Sequence, residues 1–297
     1  MTKLQRNDIS KFNERYFRLS SNEYTVYVEG DIDKTFWKNI FPKYNGWKPR
    51  IEILKKEDGT ILCGYKNLTD YLRECIKKKS DINFILALDG DYHTVIKNKY
   101  THKNIVMTSK YSLENYIFCP KSINMYMELL SHEMFNDIDY IVHKLNLFAK
   151  IIKKLVILDC VNEKDKLGIK VFDLSYKQNK SFLSIKQYVS DMSKQYEKII
   201  TENQNIIDKY NLIDFIRWKI FLSSLNKIII NKLNEIIENE NKGRKNNSMG
   251  KIKDIDVNSG IYINCIRNCS ICDSCKDYTY LKEQALEATK NLKCVNS

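Results

Sequence analysis

Hydrophobic and polar positions follow two different rhythms along the chain. Up to about residue 125, short runs of β-forming residues alternate with amphipathic stretches of helical spacing. Strands that alternate with helices are typical of an α/β unit with a largely parallel sheet. The runs at 26–28 and 84–88 are almost wholly apolar, which predicts central strands covered on both faces. The predicted elements are strands at 23–30, 50–54, 83–91 and 103–109 and helices at 33–41 and 67–79.

The second half has the periodicity of helices. Its apolar residues recur every three or four positions, at 139–158, 182–210 and 212–240. Residues 239–251 carry Gly, Asn and Lys without an apolar pattern, which predicts a loop or linker. The predicted organisation is an α/β domain at 1–125, a mainly helical domain at 126–250 and a cysteine-rich tail at 251–297.

Three acidic residues lie where the first predicted strand turns into a helix. Asp31 and Asp33 suit a helix N-terminus, because Asp is a preferred N-cap residue and its charge favours the positive end of the helix dipole. A cap does not account for Glu29, which ends the strand, where an ionised carboxylate needs a partner. The carboxyl ends of parallel strands are also where α/β proteins place their sites.

Two further predicted strands are followed by polar pairs. Asp89 and Asp91 end a very apolar strand, whose two-residue period predicts that both side chains point to one side. Ser112 and Glu114, again two residues apart, follow the next strand. Each pair alone also occurs by chance in acidic turns, but three such groups in one α/β unit do not arise easily. Aligned carboxylates repel unless a cation lies between them, and oxygen ligands suit Mg²⁺ or Mn²⁺.

These motifs resemble those of the Toprim domain, in the branch found in OLD-type (overcoming lysogenization defect) nucleases. The resemblance covers roughly residues 20 to 120. The stretch SLENYIF resembles the corresponding sequence in a compact subgroup of these nucleases. In this subgroup a Toprim core precedes a helical domain, and its members include the effector of the PARIS anti-phage system. The matching residues are Glu29 and Asp33 in EGDID, Asp89 and Asp91 in DGD, and Ser112 and Glu114 in SLE.

The resemblance implies a role for each matched residue. In Toprim nucleases these acids bind one or two divalent ions, which activate water and stabilise the charge that develops on a phosphodiester. The implied catalytic residues are Glu29, Asp89, Asp91 and Glu114. The implied ligands are the same four acids, with Asp33 in support and Ser112 beside Glu114 for a second ion. Lys66, just before a predicted helix, is either a contact for a substrate phosphate or an ordinary surface lysine.

The resemblance also implies a function. We expect a Mg²⁺-dependent endonuclease that acts as the toxic effector of a bacterial anti-phage defence system, with DNA or RNA, tRNA included, as substrate. A homodimer and an ABC-type ATPase partner protein that restrains or activates the nuclease follow from the same resemblance. The chain lacks a Gly-x-x-x-x-Gly-Lys-Ser/Thr motif of its own. The alternative is a non-catalytic nucleic-acid-binding or regulatory subunit that retains the fold.

The charge balance allows a nucleic-acid partner without requiring one. The 297 residues carry 49 Lys and Arg against 37 Asp and Glu, a formal net charge of +12, and cationic surfaces bind phosphates through counterion release. Most of the basic residues are scattered lysines, which ordinarily form a solvated face. No apolar run approaches twenty residues and no charged-then-apolar leader is visible, so we expect a cytoplasmic protein that does not bind membranes.

Cysteines cluster near the C-terminus. In a reducing cytoplasm, closely spaced thiolates favour a metal over disulfides, and four of them suit a tetrahedral structural Zn²⁺ site. The spacing also suits an iron–sulfur cluster, and unligated thiols are the third alternative; the sequence leaves all three open. The clustered residues are Cys265, Cys269, Cys272 and Cys275.

Overall fold

A computed structural model defines the fold of six stretches of the chain. These described residues are 22–31, 33–56, 58–116, 138–172, 182–246 and 276–292. They contain five strands and eight α-helices, so the predicted α/β class is confirmed. The chain divides into two units. Among the described residues, the first unit holds those that fall within 1–89, 100–108 and 273–297, and the second holds those that fall within 90–99 and 109–272.

A five-stranded sheet belongs to the first unit. Its strands are β1 (Glu23–Val28), β2 (Lys48–Lys55), β3 (Ile61–Leu62), β4 (Phe84–Leu88) and β5 (Ile105–Met107). Their order across the sheet is β3-β2-β1-β4-β5. All neighbours pair in parallel except β2 and β3, which are antiparallel. The mostly parallel sheet predicted from the sequence is therefore confirmed, with β3 as an antiparallel addition at its edge.

The two most apolar strands are neighbours in this sheet. All five residues of β4 are buried, and so are five of the six residues of β1. Each of the two strands pairs with a neighbour on both sides, so neither leaves an open backbone edge. Continuous burial is typical of parallel strands covered on both faces, and the prediction of central strands at 26–28 and 84–88 is confirmed.

Two helices of the first unit follow strands directly. Helix α1 spans Asp33–Ile40 between β1 and β2, and helix α2 spans Tyr65–Lys77 between β3 and β4. Each helix buries one face, as the spacing of its apolar residues requires. The buried residues are Phe36, Trp37 and Ile40 in α1, and Leu68, Thr69, Leu72 and Cys75 in α2.

The order of the strands reverses at β1. The chain leaves β1 for β2 on one side, whereas β4 pairs with β1 on the other side. In open α/β sheets, ligands bind outside the carboxyl ends of the strands at such a reversal, because the connections leave it in opposite directions and a crevice opens between them. Glu29 and Asp89 follow β1 and β4 at this point.

The second unit is helical in its described residues. Its helices are α3 (His93–Ile96), α4 (Ile138–Asp165), α5 (Phe182–Gln195), α6 (Glu197–Glu202) and α7 (Trp218–Asn246), with 3₁₀ helices at Leu113–Tyr116 and Leu212–Phe215. Helix α4 packs against α5, α6 and α7. Every residue of α4 from Leu155 to Val161 is buried, so this part of the helix is enclosed on all sides. Across the described stretches, no helix combines the length and the apolar character needed to span a lipid bilayer.

Two helical segments differ in extent from their sequence patterns. The continuous helical pattern at 182–210 is interrupted, because α6 ends at Glu202 and turns follow; asparagines there compete for backbone groups, as Asn203 does by donating to the Ile199 carbonyl oxygen. The loop predicted at 239–251 is helical as far as Asn246. Basic side chains in its last turn suit the negative end of the helix dipole.

Helix α8 (Lys276–Lys290) belongs to the first unit, where it packs against α1 and β5. The ring of Tyr278 lies 5.9 Å from the ring of Phe36, between centroids. This segment falls within the predicted cysteine-rich tail, and the sequence pattern did not indicate its packing against α1 and β5. The buried residues of α8 are spaced as one helical face: Tyr278, Leu281, Ala285, Ala288 and Thr289.

Substitution of Leu281 tests whether α8 is part of the core of the first unit. Leu281 is fully buried, so Leu281→Ala is expected to lower the free energy of unfolding by about 2–5 kcal/mol. The adjacent Tyr280 is 50% exposed, and Tyr280→Ala is expected to change it by less than about 0.5 kcal/mol. Urea denaturation followed by circular dichroism measures both. Equal effects would contradict the packing.

Candidate functional site

A direct hydrogen bond joins two of the predicted site residues in the first unit. The backbone N–H of Asp89 donates to Glu29 Oε1 at 2.8 Å. Both side chains are partly buried, and both residues follow the last residue of a strand, at the point where the strand order reverses. The structure therefore brings the carboxylate of Glu29 to the carboxyl end of β4, where α/β sheets bind their ligands.

Asp33 is held at the start of α1. Its Oδ2 accepts a hydrogen bond from the backbone N–H of Gly30 at 2.9 Å, so the side chain turns back over the loop that follows β1. An acidic residue in a capping box reaches back over three residues in the same way, and here the side chain satisfies the N–H of Gly30 in the loop before the helix. Asp31 pairs with Lys34 at 2.7 Å and is 75% exposed, so it is a surface residue.

The donor chemistry of these residues fits a hard cation. Glu29, Asp33 and Asp89 offer carboxylate oxygens from the loops after two adjacent strands, which is the ligand type that Mg²⁺ and Mn²⁺ prefer. However, among the described residues no three His, Cys, Asp or Glu side chains are grouped closely enough to hold a metal ion as they stand. Metal binding therefore stays a prediction.

Asp91 lies outside the strand. The strand period that should align it with Asp89 does not apply, because β4 ends at Leu88 and Asp91 has a φ of +45°. This expectation is wrong for a physical reason: a residue in the left-handed region breaks the alternation of side chains. Asp91 Oδ2 lies 2.6 Å from Lys99 Nζ, and its N–H donates to the Tyr111 carbonyl oxygen at 2.6 Å.

Ser112 and Glu114 do not end a strand either. β5 ends at Met107, and the two residues flank the start of the 3₁₀ helix at Leu113–Tyr116. The N–H and the hydroxyl of Ser112 both donate to Asn115 Oδ1, at 3.1 and 3.0 Å. Ser112 therefore has a structural role in starting this turn, and its role as a metal ligand stays a prediction.

Glu114 is a largely buried acid. Burial raises the pKa of its carboxyl group, and a hydrogen bond with Ser112 opposes that rise. Its Oε2 is buried and has no hydrogen-bond partner within the part of the chain that the structure describes. A carboxylate oxygen in this state is poorly solvated, so it suits either a protonated carboxyl group or a cation.

The remaining predicted residues divide into described and undescribed ones. Lys66 is exposed in the first turn of α2. The N-cap residue of this helix is Gly64, which has a φ of +80°. Its position agrees with both explanations given for it, a phosphate contact and a surface lysine. The four clustered cysteines, Cys265, Cys269, Cys272 and Cys275, lie outside the described residues.

A buried ion pair in the second unit was not foreseen. Asp159 is fully buried in α4 and accepts two hydrogen bonds from Arg217, at 2.6 and 2.7 Å, and one from the hydroxyl of Tyr92 at 2.8 Å. Burial raises the pKa of the Asp159 carboxyl group, whereas the hydrogen bonds from Arg217 oppose the rise. The signal in the sequence is a lone Asp in the apolar run LVILDCV, since a buried charge needs a partner.

Comparisons with known proteins give no assignment. A scan against protein-family models and a search of curated proteins each found no match. Function is therefore inferred from the residues, from their geometry and from the resemblance of the acidic motifs.

Substitution of Glu114 tests the environment of its carboxyl group. Because the pKa is raised in the folded state, the folded protein binds this proton more tightly than the unfolded chain. The contribution of the Glu114 carboxyl group to stability is fully present below the ordinary pKa of a glutamate side chain. It is lost as pH rises through the raised pKa of the folded state. Glu114→Gln removes this dependence. The melting temperature of the variant relative to wild type is expected to rise from pH 4 to pH 8, and a constant difference would contradict this.

Substitution of Asp159 tests the buried ion pair. Asp159→Asn keeps the size of the side chain but removes the counter-ion of Arg217, and it is expected to lower the free energy of unfolding by about 2–4 kcal/mol, since Arg217 is partly exposed. The control is Asp208→Asn, which breaks the exposed pair with Lys153 and is expected to change it by less than about 1 kcal/mol. Urea denaturation measures both, and a loss no greater than the control's would refute the assignment.

Proposed function

We propose that this protein is a divalent-metal-dependent endonuclease of the Toprim type. One observation carries the proposal: Glu29 Oε1 accepts the backbone N–H of Asp89 at 2.8 Å, at the reversal of strand order in a mostly parallel sheet. Two acids that are remote in the sequence thus follow adjacent strands, where α/β folds bind substrates. The resemblance of the acidic motifs to Toprim nucleases supports the same function.

Glu29 and Asp89 would hold the metal ion, with Asp33 in support. When bound, such an ion polarises a phosphoryl oxygen and lowers the pKa of a water molecule. Glu29 contributes a carboxylate whose direction is set by the Asp89 amide. This hydrogen bond orients the group without removing its charge, so Glu29 is able to bind a cation or to accept a proton from attacking water. Asp33 is oriented in the same way by the amide of Gly30.

The substrate and partners in this proposal come from the resemblance alone. The acidic motifs are similar to those of AriB, the effector of the PARIS anti-phage system, which favours a toxic effector nuclease that cuts tRNA or another nucleic acid. An ABC-type ATPase partner and a homodimeric active form belong to the same proposal. The net charge of +12 supports a polyanionic substrate.

A second candidate function has its own support. Glu29 and Asp33 each accept a backbone N–H, and the described residues contain no group of three potential ligands. Acids with such structural roles are also expected in a non-catalytic nucleic-acid-binding or regulatory subunit. The two functions differ in one property, namely hydrolysis that depends on a divalent cation.

Two isosteric substitutions separate these functions. Glu29→Gln keeps an oxygen that accepts the Asp89 N–H, and Asp89→Asn keeps the backbone that donates it, so both remove charge with little change in shape. Each is expected to lower the cleavage rate by about 100-fold or more, as expected for loss of a catalytic carboxylate. The matched control is Glu74→Gln in α2, where the Glu74 side chain is 53% exposed, and it is expected to cleave like wild type.

Cleavage is measured on supercoiled plasmid and on total tRNA, with Mg²⁺, with Mn²⁺ and with chelator. Circular dichroism establishes that each variant is folded. Undiminished cleavage by both Glu29→Gln and Asp89→Asn would refute the site. Salt-sensitive binding of nucleic acid without cleavage by the wild-type protein would favour the non-catalytic subunit.

A further inference from the structure

A buried lysine lies against one of the acids that the sequence assigns to metal binding. The Lys99 side chain is 7% exposed, whereas that of Asp91 is 39% exposed, and their charged atoms are 2.6 Å apart. An ammonium group withdrawn this far from water needs a counter-ion. Water reaches the Asp91 side chain more easily than that of Lys99. The buried ammonium group of Lys99 therefore needs the ion pair more than the carboxylate of Asp91 does.

Backbone contacts bind the same two residues into one loop of the second unit. The N–H of Lys99 donates to His93 Nδ1 at 2.9 Å, and the N–H of His93 donates to the carbonyl oxygen of Gly90 at 2.9 Å. Asp91 itself has a φ of +45°, a conformation that costs free energy for a residue other than glycine and needs support from its surroundings. Lys99 therefore closes the loop through both its main chain and its side chain.

We propose that the ammonium group of Lys99, rather than a divalent ion, is the cation that neutralises Asp91, and that this ion pair positions the loop containing α3. The ammonium group and the carboxylate, 2.6 Å apart, form a pair without net charge, and the ammonium group repels a second cation placed beside it. The amide donor at Glu29 differs in this respect, because it orients a carboxylate without neutralising it. The inference rests on the proposed function, which places a metal ion at this end of the sheet. In the Asp89-Gly90-Asp91 motif it keeps Asp89 as a metal ligand and excludes Asp91.

The ion pair is tested by thermal unfolding of the full chain in a double-mutant cycle. Asp91→Asn suits the cycle, because Asn tolerates positive φ better than most residues and the change removes only the charge. Lys99→Met keeps the apolar stem of the side chain. Each single variant is expected to melt about 3 °C or more below wild type. The double variant is expected to lose at least about 2 °C less than the sum of the two single losses. Additive losses would overturn the proposal.

Lys99→Arg keeps the cation and provides a second test if Asp91→Asn does not fold. It is expected to melt closer to wild type than Lys99→Met, since the carboxylate of Asp91 keeps a charged partner. The reverse order would overturn the proposal, because it would show that the charge on residue 99 does not support the loop.

Metal affinity separates this positioning role from that of a ligand. Mn²⁺ binding is titrated by the electron paramagnetic resonance signal of the free ion. The double variant Asp91→Asn with Lys99→Met is expected to bind Mn²⁺ within about twofold of wild type, whereas Asp89→Asn is expected to bind at least about tenfold more weakly. A tenfold loss in the double variant would assign Asp91 to the metal and overturn the proposal.

The same experiments separate failure of this inference from failure of the proposed function. Coupling between residues 91 and 99, together with equal Mn²⁺ affinity in wild type and Asp89→Asn, would support the ion pair and refute the metal site at Asp89. Absence of Mn²⁺ binding in wild type would refute the proposed function, and the unfolding cycle would then decide the ion pair alone.

Discussion

Parallel pairing of β1 with β4 is the contact on which the arrangement of the acids in the first unit depends. Val28 pairs with Ala87, so the chain leaves both strands at one edge of the sheet, and the side chain of Glu29 reaches the amide of Asp89. A slip of one residue in this register would turn every side chain of the strand to the opposite face. Both strands are buried on both faces, so the fit of their side chains against the layers on each face disfavours that slip.

Buried charge organises the second unit in a comparable way. Asp159 is matched by Arg217, and the largely buried Lys110 lies 3.0 Å from Asp214 and 5.1 Å from the ring centroid of Tyr116. The segment that contains Asp214 and Arg217 thus contributes to both ion pairs. Arg217 is the cation that pairs with Asp159, and Asp214 is the anion that pairs with Lys110. Each pair is costly to break, since removal of either member leaves the other charge buried without its counter-ion.

The sequence predicted the features that depend on local pattern. Apolar runs identified β1 and β4, and alternation of strands with helices identified the α/β class, because burial on both faces and the two periodicities leave a direct mark on residue type. Three acidic strand ends in one unit led to Glu29 and Asp89, whose proximity the structure shows. Their assignment as metal ligands stays a prediction, since the same residues also have structural roles.

Features that depend on distant partners or on single backbone angles were missed. The positive φ of Asp91 and the 3₁₀ turn at Ser112 are set by hydrogen bonds to Tyr111 and Asn115, so a two-residue spacing wrongly indicated strand alternation. Lys99 is one lysine among many in the sequence, and only its burial distinguishes it. The pairing of Asp159 with Arg217 joins α4 to the start of α7, and no local rule connects these positions.

Similar spacing in the sequence therefore conceals different chemistry at each acid. Glu29 accepts a backbone amide, which fixes its direction and leaves its charge in place. Asp91 is held by an ammonium group, which supplies a hydrogen-bond donor and an opposite charge together. Glu114 is largely buried, one of its oxygens has no partner among the described residues, and burial raises its pKa. Attraction for a cation depends on the charge that remains after such contacts and on the cost of desolvation. Of these three acids, Glu29 is the one that follows a strand at the reversal of the sheet order.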